Sequence, residues 1–264
     1  MIFSILIAIF AGWLLLRKNN ESVVEKSAPI AVKKPLLEEV SSHGSSDYFF
    51  VKTLMRNTIV RHENNIPLTD YEICRVYKIN NPELTKIVEK KKSDLNWSTW
   101  WRTDERILFH GSPHAKEIAE TGFNVGFCSP HSMFGKGIYF TSLSSKANQY
   151  AWGNNRGCPT HKSRACCLCT RTMLICRCVM GKELRTVTPT TMVPPGYHSV
   201  VAVPTCADDS LFLKFPEFVV LDGSQVEPMF YIEYKILYMK QDENPVNITS
   251  RSTKATESKK CSIM

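Results

Sequence analysis

Several familiar signals are missing from this sequence, and each absence removes a class of fold or function. No Gly-x-Gly-x-x-Gly turn occurs, which argues against a Rossmann-type dinucleotide site. No internal repeat is present, and strand-like runs do not alternate regularly with helical ones, which argues against a doubly wound sheet. The charge is only moderately basic, with 33 Lys and Arg against 25 Asp and Glu. A formal charge of +8 suits a membrane surface, a nucleic acid or a dinucleotide phosphate and does not distinguish them, and we expect no specific nucleic-acid partner.

The N-terminal segment is an apolar run that is short for a membrane span. Residues 2–16 are almost all apolar, and Arg17 and Lys18 follow directly. A span takes about 20 apolar residues, so the run is long enough for a thin membrane. A cleaved signal peptide is the alternative, but no Lys or Arg precedes the run and no small-residue cleavage site follows closely. We predict an anchor at 1–18 in a single-pass membrane protein, with the following domain in the cytosol.

The C-terminal residues predict attachment of a lipid. Cys261 begins the final Cys-Ser-Ile-Met sequence, which is typical of a prenylation site and favours farnesyl. Basic residues lie just upstream, at Lys254, Lys259 and Lys260. The sequon at 247–249 is a glycosylation signal that could be used only in the lumen, so it competes with the lipid. We favour the lipid, and we expect 241–264 to be a disordered basic tail.

The sequence between the two ends predicts a linker followed by one domain. Residues 19–46 are polar and contain two prolines and a Ser/Gly cluster, which is typical of a linker. Periodicity predicts helices from Asp47 and at 82–92, 113–120 and 144–151. It predicts strands at 71–79, 107–109, 137–141, 173–179, 218–221 and 229–239. Because strands outnumber helices, we expect 47–240 to be an α+β domain with mixed, largely antiparallel sheets.

A cluster of cysteines and one histidine indicates a metal site. The chain has ten cysteines, and four metal-ligand residues follow the spacing Cys-x2-His-x4-Cys-x2-Cys: Cys158, His161, Cys166 and Cys169. Two close pairs separated by a short loop can bring three thiolates and an imidazole to the corners of a tetrahedron. Because the protein then fills every position, we predict a structural Zn²⁺ rather than a catalytic one. Chance clustering is the alternative, since Cys167 lies in the same segment.

Three separated motifs resemble the catalytic domain of the poly(ADP-ribose) polymerases. They are LFHGSP at 108–113, FGKGIYF at 134–140 and SSKANQY at 144–150. The similarity runs from about Tyr48 to Met239 and is strongest to tankyrase, whose catalytic domain has the same zinc spacing, although the ankyrin repeats and oligomerisation domain of tankyrase are absent. The resemblance implies a two-sheet ADP-ribosyltransferase fold with a zinc-binding loop. It also implies NAD⁺ as the donor substrate and protein side chains as acceptors.

The resemblance also assigns roles to individual residues. Positions expected to bind NAD⁺ are His110, Gly111, Ser112, Tyr139 and Tyr150. The Gly111 backbone would hydrogen-bond the carboxamide, and the rings of Tyr150 and Tyr139 would enclose the nicotinamide. His110 would bind the adenosine ribose, with help from Ser112. Residues 123–133 would form the loop over the donor site. Taken singly, each of these residues has an ordinary alternative as part of a core.

Two positions depart from the family pattern. Polymer-forming members place a glutamate on a strand near the end of the domain, where it activates the hydroxyl that extends the chain. Our alignment puts Met229 at that catalytic position, and a thioether cannot accept a proton, so we predict mono-ADP-ribosylation. Glu227, two residues earlier on the same strand face, is the alternative that would permit polymer formation. Ala147 replaces a serine that binds the nicotinamide amide, which leaves open a catalytically inactive protein that binds NAD⁺ or a partner.

Overall fold

The computed structural model describes residues 36–62, 68–99, 103–154, 156–204 and 213–238. By its internal contacts, the chain divides into 1–35 and a single unit that begins at Leu36. Within the described ranges, no helix has the length and apolar character needed to cross a membrane. The predicted anchor at 1–18 and the predicted lipid site at Cys261 both lie outside these ranges.

Two β-sheets form the framework of the domain. Its strands are β1 (Leu37–Glu39), β2 (Asp70–Ile79), β3 (Glu105–Gly111), β4 (Ile138–Phe140), β5 (Arg171–Val179), β6 (Glu183–Thr186), β7 (Ser199–Ala202), β8 (Glu217–Val220) and β9 (Val226–Leu237). One sheet has the order β1-β2-β9-β5-β3, and the other has the order β4-β8-β7-β6. The strand pairs are antiparallel apart from β6 and β7, which are parallel. The predicted α+β class with largely antiparallel sheets is therefore confirmed.

The helices lie between strands and beside the sheets. They are α1 (Ser46–Asn57), α2 (Pro82–Thr99), α3 (Ala115–Thr121) and α4 (Ser144–Ala147). The N-terminus of α1 is capped, because the Ser45 hydroxyl accepts a hydrogen bond from the Tyr48 backbone N–H. Val51 and Met55, one turn apart, are its buried residues. This apolar spacing is the pattern from which the sequence predicts the helix.

Helix α2 extends further than its predicted end at residue 92. Two lysine side chains of the run at 90–92 form tertiary ion pairs. Lys91 Nζ lies 2.9 Å from Asp222, and Lys92 Nζ lies 3.0 Å from Glu105. These two pairs connect the helix to other elements, so Lys91 and Lys92 lie against the domain, whereas Lys90 is exposed. Local charge alone could not indicate this.

Several strands were not predicted from local pattern. Strand β1 lies inside the segment predicted as a linker, and its three residues pair with β2, with Leu37 opposite Ile79. Strands β6 and β7 were also missed, and β9 begins at Val226 rather than at Met229. The missed strands are four residues or fewer, so their stability comes from pairing with distant strands rather than from local propensity.

Strand β5 is buried on both faces and separates two parts of the core. Leu174, Cys176 and Cys178 pack with residues of the four-stranded sheet and α3. Met173 and Ile175 point the other way, into a cluster that includes Val51 and Met55 of α1. Near this strand the two sheets meet at one bridge, in which the Phe109 and Thr141 backbones exchange hydrogen bonds of 2.8 and 3.1 Å. The bridge brings the end of β3 next to β4.

Candidate functional site

A cavity of about 380 Å³ lies where the end of β3 meets β4 and α4. Residues from four separated parts of the chain line it, among them His110, Gly111, Tyr139, Lys146, Tyr150 and Glu217. Four of the residues expected to bind a ligand thus border one space, although up to 40 positions separate them in the chain. The geometry of each of these residues shows what the cavity can hold.

The ring of His110 is fixed in one orientation. Its Nδ1 lies 2.9 Å from the Tyr139 carbonyl oxygen, and a carbonyl can only accept, so Nδ1 carries the proton. Burial lowers the pKa of His110, so the ring stays neutral at physiological pH. Phe123 and Phe140 contact it, with ring centroids at 5.0 and 5.4 Å. The remaining nitrogen, Nε2, is therefore able to accept a hydrogen bond from a hydroxyl group.

The hydroxyl of Tyr139 holds the adjacent turn in place. It accepts a hydrogen bond from the Phe134 backbone N–H at 2.8 Å and donates one to the Gly135 carbonyl at 3.0 Å. Burial raises the pKa of Tyr139, so the hydroxyl keeps its proton. Gly135 has φ of +83°, a conformation that favours glycine. Since both bonds of the hydroxyl are used within the protein, the ring is the part of Tyr139 left to contact a ligand.

Gly111 is required by a close approach of two backbones. A Cβ atom at this position would lie 1.9 Å from the carbonyl oxygen of Ala147, which no side chain tolerates. Ala147 is 2% exposed. Tyr150, in a 3-10 helix directly after α4, is 37% exposed, with Lys146 Nζ 5.8 Å from its ring centroid. The ring of Tyr150 is therefore accessible to a ligand in the cavity.

Glu217 is a functional candidate that the sequence analysis missed. It is the first residue of β8, and its carboxylate lies 3.2 Å from Lys146 Nζ, with both side chains less than one-fifth exposed. Within the described ranges, Glu217 is the one carboxylate residue that lines the cavity. A signal was present, because Glu217 comes directly before the predicted strand at 218–221. We looked for the carboxylate on the following strand instead.

Neither Met229 nor Glu227 is among the residues that line the cavity. Met229 lies at an irregularity of β9, where the pairing with β5 shifts register, and it packs beside the α1 core cluster. The Glu227 carboxylate accepts hydrogen bonds from the Thr85 hydroxyl at 2.6 Å and from Arg177 Nε at 2.7 Å. Glu227 is thus held by an ion pair and a hydrogen bond beside α2.

Ser112 also differs from its expected position. It is 8% exposed and does not line the cavity. Its hydroxyl accepts a hydrogen bond from the His114 backbone N–H at 3.1 Å, which organises the turn before α3. In this conformation the hydroxyl stabilises the protein rather than facing the cavity.

The loop at 123–133 borders the cavity and exposes apolar side chains. It contains a 3-10 helix at Val125–Phe127, in which the Asn124 side chain accepts a hydrogen bond from the Gly126 N–H. Phe127 is 89% exposed. Met133, at the end of the loop, lines the cavity. A loop with this arrangement can contact a bound ligand and its surroundings.

The predicted metal ligands lie together at one point. The donor atoms of Cys158, His161, Cys166 and Cys169 are all within 4.8 Å of one another. His161 Nδ1 lies 3.7, 3.4 and 3.3 Å from the three sulfur atoms in chain order. A tetrahedral zinc site with ordinary bond lengths has N–S edges of about 3.5 Å. The cluster therefore fits Zn²⁺, and its four protein ligands leave no open position for a reactant.

The backbone around the cluster favours thiolates. Backbone N–H groups of His161 and Cys169 donate to the sulfurs of Cys158 and Cys166 at 3.1 and 3.4 Å. Although burial raises the pKa of the Cys158 thiol, hydrogen bonds from the Ser163 and His161 backbone lower it to about 6. A Cβ at Gly157 would lie 2.2 Å from the Lys162 carbonyl oxygen, so the loop needs glycine there. These features prepare the loop to hold a cation.

A comparison with protein families covers most of the domain. Residues 45–227, more than half of the chain, match the family described as "Poly(ADP-ribose) polymerase catalytic domain". The match includes the cavity residues from His110 to Glu217 and the whole metal cluster.

Proposed function

Since the chain belongs to the poly(ADP-ribose) polymerase catalytic domain family, we propose that it transfers ADP-ribose from NAD⁺ to protein side chains. The observation that carries this proposal is the cavity in which His110, Tyr139 and Glu217 meet, because these residues come from three different strands. Members of this family use NAD⁺ as their substrate. The cavity therefore serves as the donor site.

In this proposal, the residues of the cavity bind NAD⁺ at its two riboses and its nicotinamide. The nicotinamide lies between the rings of Tyr139 and Tyr150, and the Gly111 backbone approaches its carboxamide. His110 Nε2 accepts a hydrogen bond from a ribose hydroxyl, which its neutral state and fixed tautomer allow. Holding the ring and the sugars in one geometry accounts for much of the rate enhancement expected of such an enzyme.

Glu217 supplies the charge that the reaction needs. The bond between ribose C1′ and the nicotinamide nitrogen breaks, its electron pair leaves with nicotinamide, and positive charge develops on the ribose. A carboxylate beside the ribose stabilises that charge and can accept the proton of an attacking hydroxyl. The Lys146 ammonium lies 3.2 Å from this carboxylate and pairs with it.

The position of Glu217 favours polymer formation over single transfer. Our expectation of mono-ADP-ribosylation depended on Met229 standing where polymer-forming members have glutamate. With Met229 outside the cavity and Glu217 within it, a carboxylate is available to activate the hydroxyl that extends a chain. Glu227, our earlier alternative for this role, is occupied by Arg177 and Thr85. We therefore propose Glu217 as the residue that extends the chain.

The test is labelling of the full-length, zinc-loaded protein with radioactive NAD⁺, followed by a denaturing gel. We expect a ladder of labelled product, and we expect Glu217→Gln to reduce it to a single band or to remove it. Glu227→Gln is the matched control, because it neutralises a carboxylate outside the cavity. A single band from the unmodified protein would contradict chain extension. An absence of label from a folded protein would contradict transfer altogether and favour an inactive protein that binds NAD⁺ or a partner.

We further propose that the protein is tethered to a membrane with its domain in the cytosol. The apolar run at 2–16, the charges at Arg17 and Lys18, and the sequence that begins at Cys261 support this. Protease treatment of sealed vesicles tests the orientation, and a domain protected from protease would contradict it. Loss of radioactive prenyl label in Cys261→Ser would identify the lipid site.

We also propose that Zn²⁺ occupies the Cys158 cluster and that its spacing marks a tankyrase-like branch of the family. The nitrogen-to-sulfur distances support the zinc assignment. Metal analysis of the purified protein should give one zinc per chain. Cys169→Ser should lower that content.

A further inference from the structure

A second cavity, of about 360 Å³, lies on the other side of the segment that carries Tyr150. The segment contributes Lys146, Ala147 and Tyr150 to the donor cavity, and it contributes Asn148 and Trp152 to the second one. The two cavities share no lining residue. The second cavity is therefore a separate space that the proposed transfer reaction does not use.

The lining of this second cavity is cationic. Three arginines border it, Arg156, Arg164 and Arg171, and we call it the arginine cavity. None of its lining residues in the described part of the chain is Asp or Glu. Neutral donors and acceptors, including Asn148 and Ser163, also face it. Among the described residues, no carboxylate lies within salt-bridge distance of these three guanidinium groups.

Arg171 is buried without a counter-anion. It is 3% exposed, and its guanidinium carbon lies 3.9 Å from the ring centroid of Trp152. One nitrogen donates to the carbonyls of Arg164 and Cys166 at 2.8 and 3.1 Å. Its Nε is buried and has no hydrogen-bond partner. Burying a cation with an unused donor costs free energy, and an anion near the guanidinium group would offset part of that cost.

The metal cluster accounts for at most one of the three charges. Zn²⁺ with three thiolates and a neutral imidazole would carry one net negative charge near Arg171. Arg156 and Arg164 would still lack a counter-charge. The excess of two positive charges matches a dianion better than a single carboxylate. Guanidinium groups pair with phosphate through two parallel hydrogen bonds, and phosphate is the common biological dianion of this shape.

We propose that the arginine cavity binds the phosphate group of a small ligand. Arg156 and Arg164 provide charge and hydrogen bonds, the buried Arg171 adds a third positive charge, and Asn148 and Ser163 provide neutral hydrogen bonds. The ligand is free inorganic phosphate or a nucleotide monophosphate, which present the same group. The arginine cavity is lined by other residues than the donor cavity, so it can bind its ligand whether or not transfer occurs.

Calorimetric titration of the full-length, zinc-loaded protein tests this proposal, with inorganic phosphate and AMP as separate probes. We expect one site, and we expect the double variant R156Q/R164Q to bind at least about tenfold more weakly, since a charged hydrogen bond contributes about 1.5 kcal/mol or more. Arg185→Gln is the matched control, because Arg185 is 67% exposed and pairs with Glu183 on β6. It should bind as the unmodified protein does.

The two probes distinguish the source of the phosphate. Tighter binding of AMP that the double variant loses would identify a nucleotide ligand, and equal binding of both probes would identify free phosphate. Binding that R156Q/R164Q leaves unchanged would overturn the proposal, as would a lack of binding of either probe at millimolar concentration. Zinc content and the unfolding transition of the double variant show that it is folded.

Discussion

Replacing Ala147 with serine should strengthen binding of NAD⁺ at the donor cavity. Ala147 is 2% exposed, and its side chain borders the cavity beside Gly111 and Tyr150. A serine adds one oxygen at the place where the family pattern has a hydroxyl for the nicotinamide amide. A neutral hydrogen bond contributes about 0.5–1.5 kcal/mol, which corresponds to a lowering of KM by about two- to twelvefold.

The size of the new side chain needs a matched control. Ala147→Cys has almost the same volume as Ala147→Ser but donates only a weak hydrogen bond. Initial rates measured across a range of NAD⁺ concentrations would separate KM from kcat for the three proteins. We expect Ala147→Ser to lower KM for NAD⁺ while Ala147→Cys leaves it unchanged or raises it. Equal KM values for the serine and cysteine variants would refute the assignment of this position to the nicotinamide amide.

Further predictions concern the stability of the domain. Gly111→Ala should lower the free energy of unfolding by about 3 kcal/mol, because its Cβ would overlap the Ala147 carbonyl; urea denaturation measures this, and an unchanged midpoint would contradict it. Arg177→Met should lower the free energy of unfolding by about 3 kcal/mol, because it leaves the carboxylates beside α2 without their cation. Transfer should remain intact, and a variant that lost transfer at unchanged stability would contradict this structural role. Because the pKa of His110 is lowered in the folded protein, its imidazole is protonated in the unfolded chain first as pH falls. The free energy of unfolding should therefore decrease below about pH 6.5. Urea titrations of His110→Asn should show a weaker dependence of stability on pH. Chelation of zinc should lower the melting temperature of the unmodified protein but not of Cys169→Ser, as scanning calorimetry can test.

The elements that the sequence predicted well are those in which local pattern and tertiary packing agree. Helix α1 buries Val51 and Met55 at helical spacing, and β5 contains the apolar run 173–176, which is buried on both faces of the strand. Strand β1 could not be predicted in this way. It has three residues within a polar segment, and its position depends on hydrogen bonds to β2, more than 30 residues away in the chain. Pairing between distant segments leaves no local signal.

The metal cluster could also be predicted, because its pattern is local in the chain. Its four ligands lie within twelve residues, so their spacing alone determines that they can converge. The donor cavity is different, because its residues come from β3, β4, α4 and β8. The resemblance identified His110 and Tyr139, whose motifs are distinctive, and the structure brings both to one cavity.

The sequence does not distinguish the two glutamates near the end of the domain, because both lie at apolar strands that follow one another in the chain. Both Glu217 and Glu227 lie in or beside an apolar strand near the end of the domain, and spacing does not distinguish them. Strand pairing does, because β8 pairs with β4, the strand of Tyr139, whereas Glu227 on β9 lies opposite Arg177 of β5. One glutamate therefore faces a cavity and a lysine, while the other forms an ion pair beside α2. If Glu217→Gln and Glu227→Gln had equal effects on chain extension, this distinction by strand pairing would be incorrect.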